Sequence, residues 1–150
     1  MMLHFQNCSE DKKVPTLAEF KRWISITLRL LNATTRKTEL TLRLVTQKES
    51  QQLNRQFRAK NKPTNVLSFP AAVAEESAAH YLGDLAICVV VVKAEAAAQH
   101  KSSKSHFAHM TVHGTLHLLG YDHQRKVEAT KMEHLETQIL AKLGYENPYE

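Results

Sequence analysis

The stretch KSHFAHMTVHGTLHLLGYDH, residues 104–123, reads as a mostly apolar helix that runs up to Gly120 and is followed by a short return. Glycine takes the left-handed conformation common just past a helix C-terminus, so Gly120 predicts where the helix stops. A helix this apolar belongs at the centre of a fold. Its histidines are the least ordinary feature of the chain. Within it, HGTLHLLGYDH (113–123) has the spacing H-x-x-x-H-x-x-G-x-x-H, the ligand spacing of a class of zinc proteases. Gly114 stands where those proteases carry a glutamate.

Residues i and i+4 of a helix share one face about 6 Å apart along the axis, so His113 and His117 can reach one metal ion. His109 lies one step further back on that face. Ligands at 109, 113 and 117 would span about 12 Å of helix, whereas a zinc–nitrogen bond is only about 2 Å. The stop at Gly120 favours a different third ligand, because it lets the chain turn and bring His123 back to the ion. Three histidines from helix, turn and return leave a fourth position open, the arrangement of a catalytic zinc site. His106 and His109 then support a ligand, face a polyanion or are satisfied in the core.

The protease glutamate is the general base acting on metal-bound water. Gly114 has no side chain to do this, so peptide hydrolysis by that route is disfavoured. A glycine inside a helix also costs about 1 kcal/mol relative to alanine. Two explanations offset that cost: another element packed tightly against the helix, or room beside the metal for a phosphate.

Outward from the central helix, TLAEFKRWISITLRLL predicts an amphipathic helix with Leu17, Phe20, Trp23, Ile24, Leu28 and Leu31 on its apolar stripe. VEATKMEHLETQILAKLG predicts another, stopped by Gly144. MMLHFQN reads as an edge strand and ELTLRLVT as a half-buried strand of period two. QKESQQLNRQF has helical composition, KNKPTN is a loop and VLSFP a short strand. AAVAEESAAHYL reads as a loop. From Gly83-Asp84 onward, β-propensity argues for strand as far as Val92. VVKAEAAAQH, however, looks helical, which places the boundary near Cys88. Helices interspersed with a few strands give an α+β class, and 150 residues suit a single compact domain spanning 1–150.

Hydrophobic residues make up 43% and charged residues 23% of the chain, as in ordinary globular proteins. The N-terminus has no apolar run or cleavage site of a secretory signal. The longest strongly apolar run, LAICVVVV, is too short to span a bilayer. Cys8 and Cys88 form no C-x-x-C pair, and both are expected to be buried thiols kept reduced in the cytoplasm. The formal net charge is +5 and is unevenly placed. Residues 50–74 hold four basic residues and no acid, and residues 96–121 lack Asp and Glu while holding Lys101, Lys104 and five histidines. Such a potential suits RNA, although on charge alone it also suits a solubilising surface.

HGTLHLLGYDH, together with LNRQFRAKNKPTNVLSFP and LGDLAIC, resembles the YbeY family of bacterial metal-dependent endoribonucleases. The likeness runs from about Glu39 to the terminal LGYENPY, and before it the chain matches only in general helical character. It implies a small mixed sheet packed against helices, with one divalent metal ion per chain, zinc, on His113, His117 and His123. It places the family's important arginine on Arg58 and the aspartate of its GD motif on Asp84. It also implies action in ribosomal RNA maturation and ribosome quality control, with ribosomal RNA precursors and the small ribosomal subunit as partners. A membrane and a nucleotide cofactor are not expected. After His123 the chain reads QRKVEA, where many members are acidic.

On this reading Arg58 offers a planar fork of donors to a phosphate. Lys60 and Lys62 contact RNA backbone, adding affinity without reading sequence. Asp84 and His109 are candidates for holding a ligand histidine from behind, with Asp84 also suited to accept a proton or to serve in a turn or cap. Asp122 belongs to the turn before His123. The leading reading is a single-strand-preferring endoribonuclease. The alternatives are a non-catalytic RNA-binding ribosome-assembly factor with a structural metal, and a zinc hydrolase of another substrate such as peptides.

Overall fold

The computed structural model describes residues 1–33, 37–71, 80–122 and 124–150. In chain order these form β1 (Met2–Asn7), α1 (Leu17–Leu30), β2 (Thr38–Val45), α2 (Gln47–Arg58), β3 (Val66–Pro70), β4 (His80–Cys88), α3 (Val89–Ala98), α4 (Ser103–Leu118) and α5 (Lys126–Lys142). The sheet order is β1-β2-β4-β3. β1, β2 and β4 run parallel, while β3 pairs antiparallel to β4, so the sheet is mixed. This is an α+β domain with β1 at one edge, as expected.

The strand register decides what each face carries. Phe5, Leu42, Leu85 and Ser68 fall in one row, and Leu44, Ile87 and Val66 in the next. With Phe20, Trp23, Ile24 and Leu28 of α1, Phe107, Val112 and Leu116 of α4, and Met132, Ile139 and Leu140 of α5, these apolar rows make the main core. α4 is buried along most of its length, including Phe107 to Val112 and Gly114 to Leu116. Val45, Leu67, Ala86 and Cys88 form a smaller cluster with Leu53 of α2 on the opposite face. Elsewhere on that face Arg43 is bonded to Glu49 and to Gln6.

Local chemistry sets the helix ends. Thr16 and Glu19 form a reciprocal capping box at the start of α1. α2 ends at Ala59, which takes a left-handed conformation with φ of 57°. Gly120 has φ of +95° and Gly144 φ of +89°, as helix stops require.

Four expectations need correction or sharpening. Leu17, placed on the α1 stripe, occupies the first turn and is 46% exposed, outside the core that begins at Phe20. β4 starts at His80 rather than at Gly83-Asp84, because His80 and Tyr81 continue the pairing with β2. Gly83 sits inside that strand with φ of +138°, where a Cβ would lie 2.2 Å from the carbonyl oxygen of Phe69. Residues 72–79 of the expected loop lie outside the described residues. The strand does end at Cys88. Val89, Val92 and Ala96 bury one helical face, and this packing overrides the β-propensity of the valine run. Cys88 is buried, but Cys8 is only half-buried, and both are free thiols.

Candidate functional site

Near its C-terminal end α4 carries His113 and His117 one turn apart. Their Nε2 atoms lie 3.1 Å from one another. On the other side of the ring, His113 Nδ1 is hydrogen-bonded to Oε1 of Glu136 on α5. Glu136 is fully buried. Its Oε2 is bonded to His109 Nε2 at 3.0 Å and to the hydroxyl of Tyr149. Burial pushes this carboxyl up, but hydrogen bonds from His109 and His113, supported by Tyr149, outweigh it and hold the group at about 2. Being ionised, Glu136 can only accept, so His113 must present Nδ1–H to it and turn Nε2 towards His117.

This arrangement fits a metal ion. Two nitrogens on one tetrahedral zinc, each about 2 Å from it, stand roughly 3.3 Å apart, close to the separation seen here. A carboxylate behind a ligating imidazole is the usual companion of such a ligand, fixing its tautomer and orientation. His109 turns its Nε2 to Glu136, which leaves the pair to His113 and His117. His123 lies outside the described residues, and among those described no group of three His, Cys, Asp or Glu is placed to hold an ion.

The two histidines line a cleft of about 870 Å³, and Arg58, Lys60 and Lys62 line it from the other side. Arg58 ends α2. Its Nη2 donates to the carbonyl of Ser68 at 2.9 Å, and its guanidinium lies 5.6 Å from the centre of the Phe69 ring. Ser68 also donates through Oγ to the carbonyl of Gly114 at 3.1 Å. One edge-strand serine therefore joins the arginine to the helix beside His113. The loop carrying Lys60 and Lys62 is shaped by buried polar residues of α2. Asn54 donates to the Lys62 carbonyl at 2.8 Å, and Ser50 exchanges hydrogen bonds with the backbone of Thr64. Asp122 is the sole carboxylate among the described residues lining the cleft.

Gly114 resolves towards packing. A Cβ there would lie 2.8 Å from Leu85 Cδ2, 3.2 Å from Val66 Cγ2 and 3.3 Å from Ser68 Oγ. The space is filled by side chains of β3 and β4 and is not room kept for a phosphate.

Asp84 stands elsewhere. Leu85 faces α4, so Asp84 projects from the opposite face of β4, where it is exposed and accepts from the Tyr81 hydroxyl at 2.5 Å. Support of His113 falls to Glu136 instead. A signal for Glu136 was present in the sequence: it sits between Met132 and Ile139/Leu140, an acid on the apolar stripe of its helix, and such a residue is costly unless paired. His106 is likewise a core histidine, bonded to Glu95 at 2.9 Å.

Comparison with known proteins identifies the family. The family model described as Endoribonuclease YbeY matches residues 4–144. Proteins named Endoribonuclease YbeY from Coxiella burnetii strains Dugway 5J108-111 and RSA 493 / Nine Mile phase I are 44% identical over 145 residues, spanning 97% of this chain and 95% of each relative. The solution structure of a Thermotoga maritima protein matches with a TM-score of 0.58 over 99% of both chains at 21% identity, a likeness of fold. No helix among the described residues is long and apolar enough to cross a membrane. The chain belongs to the YbeY endoribonuclease family, which acts in the maturation of ribosomal RNA.

Proposed function

We propose that the chain, folded as one domain over residues 1–150, binds one zinc ion through His113, His117 and His123 and cleaves single-stranded segments of ribosomal RNA precursors in the cleft beside it. The observation that carries this reading is the cleft itself. Arg58 at the end of α2 and Lys60 and Lys62 in the loop after it line the same space as His113 and His117 of α4, more than 50 positions further along the chain.

A zinc ion held by these histidines would supply Lewis acidity for the phosphoryl group. The chain's own residues provide the rest. Arg58 is braced by the Ser68 carbonyl and the Phe69 ring and presents its remaining N–H groups to the phosphate whose charge grows during cleavage. Lys60 and Lys62, both exposed, track the backbone on either side. Glu136 holds His113 in one tautomer. Asp122, which lines the cleft, is the carboxylate proposed to take or return a proton. The positive cleft suits RNA presented on a particle, and the small ribosomal subunit in the cytoplasm is the partner and setting proposed.

The test compares wild type, His117→Ala and Arg58→Ala on ribosomal RNA. Both variants are expected to fold and to lose cleavage. Equal activity in all three preparations would assign the cleavage to a contaminant. Metal analysis should find about one ion per chain, lost in His123→Ala. Retention of the ion in that variant would remove His123 from the ligand set.

A further inference from the structure

We infer that Tyr149 is a positioning residue for the metal centre: its hydroxyl fixes the Glu136 carboxylate, which in turn fixes the ring of His113. This inference rests on the proposed reading of His113, His117 and His123 as metal ligands.

Glu136 has one oxygen for each task. Oε1 meets His113, while Oε2 meets His109 at 3.0 Å and the Tyr149 hydroxyl. The terminal torsion of a glutamate is soft and roughly two-fold. A single donor on Oε2 would leave the carboxylate free to rock about it. Two donors reaching Oε2 from different elements set the carboxylate plane, and with it the direction in which Oε1 accepts. His109 comes from α4, the helix that also carries His113. Tyr149 comes from the segment that follows α5, which makes it the independent constraint.

That segment is itself tied down. Lys101 Nζ donates to the Pro148 carbonyl at 2.6 Å, and the Tyr149 N–H donates to Asn147 Oδ1 at 2.9 Å. The Tyr149 ring packs edge-on against His109 with centroids 5.5 Å apart. Burial first, and then the adjacent Glu136 charge, push the phenol above its ordinary range, so it remains a donor. The residue is 47% exposed overall. Its ring is therefore only partly used for packing, whereas its hydroxyl is placed on a buried carboxylate. The contact itself was not evident from sequence, because Tyr149 and Glu136 belong to no shared motif.

The experiment strips the full-length protein of metal and titrates it with Co²⁺ in competition with a chelator, following the absorption of the bound ion. Replacing a residue that directly supports a metal ligand typically weakens binding about 10–100-fold. Tyr149 acts one bond further out, and Tyr149→Phe is expected to weaken Co²⁺ binding by about 3–30-fold. The thermal midpoint of the metal-free variant should stay close to that of wild type, since only a hydroxyl is removed. In metal-free protein, the His113 Nδ1–H signal in nitrogen-resolved imidazole spectra should broaden in Tyr149→Phe. Lys101→Ala, which releases the segment at Pro148, should shift affinity in the same direction by a smaller factor. Wild-type affinity together with an unchanged His113 signal in Tyr149→Phe would overturn the inference while leaving the metal site standing. Failure of the wild-type protein to take up Co²⁺ would overturn the metal reading, and this inference with it.

Discussion

Glu136 on α5 accepts a hydrogen bond from Nδ1 of His113 on α4, so a side chain 23 positions further along the chain holds this imidazole from behind. Glu136→Gln removes the charge and sets an amide N–H₂ against donors from His109, His113 and Tyr149. Metal affinity is expected to fall about 10–100-fold, measured by equilibrium titration against a chelator. Undiminished affinity would mean that other contacts suffice to orient His113.

Gly114 is predicted to resist substitution for reasons of space. Overpacking a core costs roughly 1–3 kcal/mol, and replacing a helical glycine by alanine returns about 1 kcal/mol. Gly114→Ala should therefore destabilise by about 1 kcal/mol. Gly114→Glu, which would restore the protease pattern, should destabilise far more, because a longer chain must enter the space held by Leu85, Val66 and Ser68. Urea denaturation of the metal-free proteins measures both. A neutral alanine would show that Leu85 moves aside freely.

Lys60 and Lys62 are exposed on the cleft loop, and their replacement should leave stability unchanged. Each phosphate contact on single-stranded RNA contributes about 0.7 to the slope of log affinity against log salt. The double variant Lys60→Ala/Lys62→Ala should thus show a slope shallower by about 1.4 in anisotropy titrations over a salt series. An unchanged slope would place the RNA backbone elsewhere.

His106 sets a pH dependence. Burial lowers its pKa, Glu95 on α3 opposes that shift, and His109 and Lys101 add to the lowering. The folded state thus prefers the neutral ring, whereas the unfolded chain takes up a proton near the ordinary value of 6.5. This contribution is complete above that value and declines as pH falls from it through the lower folded-state pKa. Between pH 7 and 5 wild type should lose stability more steeply than His106→Gln, as read from urea midpoints. Parallel pH profiles for the two proteins would contradict this.

Much of the architecture was legible because burial leaves a period in the sequence. Phe20, Trp23, Ile24 and Leu28 mark α1 at helical spacing, and Leu40, Leu42 and Leu44 mark β2 by alternation. Val89–Val92 was ambiguous because a short valine run satisfies both a strand and a buried helix, and only packing against α4 and the sheet decides it. Asp84 looked chemical because it sits in a motif. Strand alternation turns it to the face away from α4, which a motif cannot convey. Ser50 and Asn54 gave no sign that they shape the cleft loop, since their partners are backbone atoms of residues 62–64.

The sequence by itself determined the pair His113 and His117, because helical spacing places them on one face. It also determined the stop at Gly120, because glycine tolerates positive φ, and the basic character of the 50–62 region. Tertiary structure alone decided that Arg58 faces those histidines across a cleft, that Gly114 is filled by Leu85, and that Glu136 and Tyr149 stand behind His113. Local spacing constrains neighbours within a turn or two. Contacts between residues tens of positions apart depend on how whole elements pack, and that information is spread over the entire core.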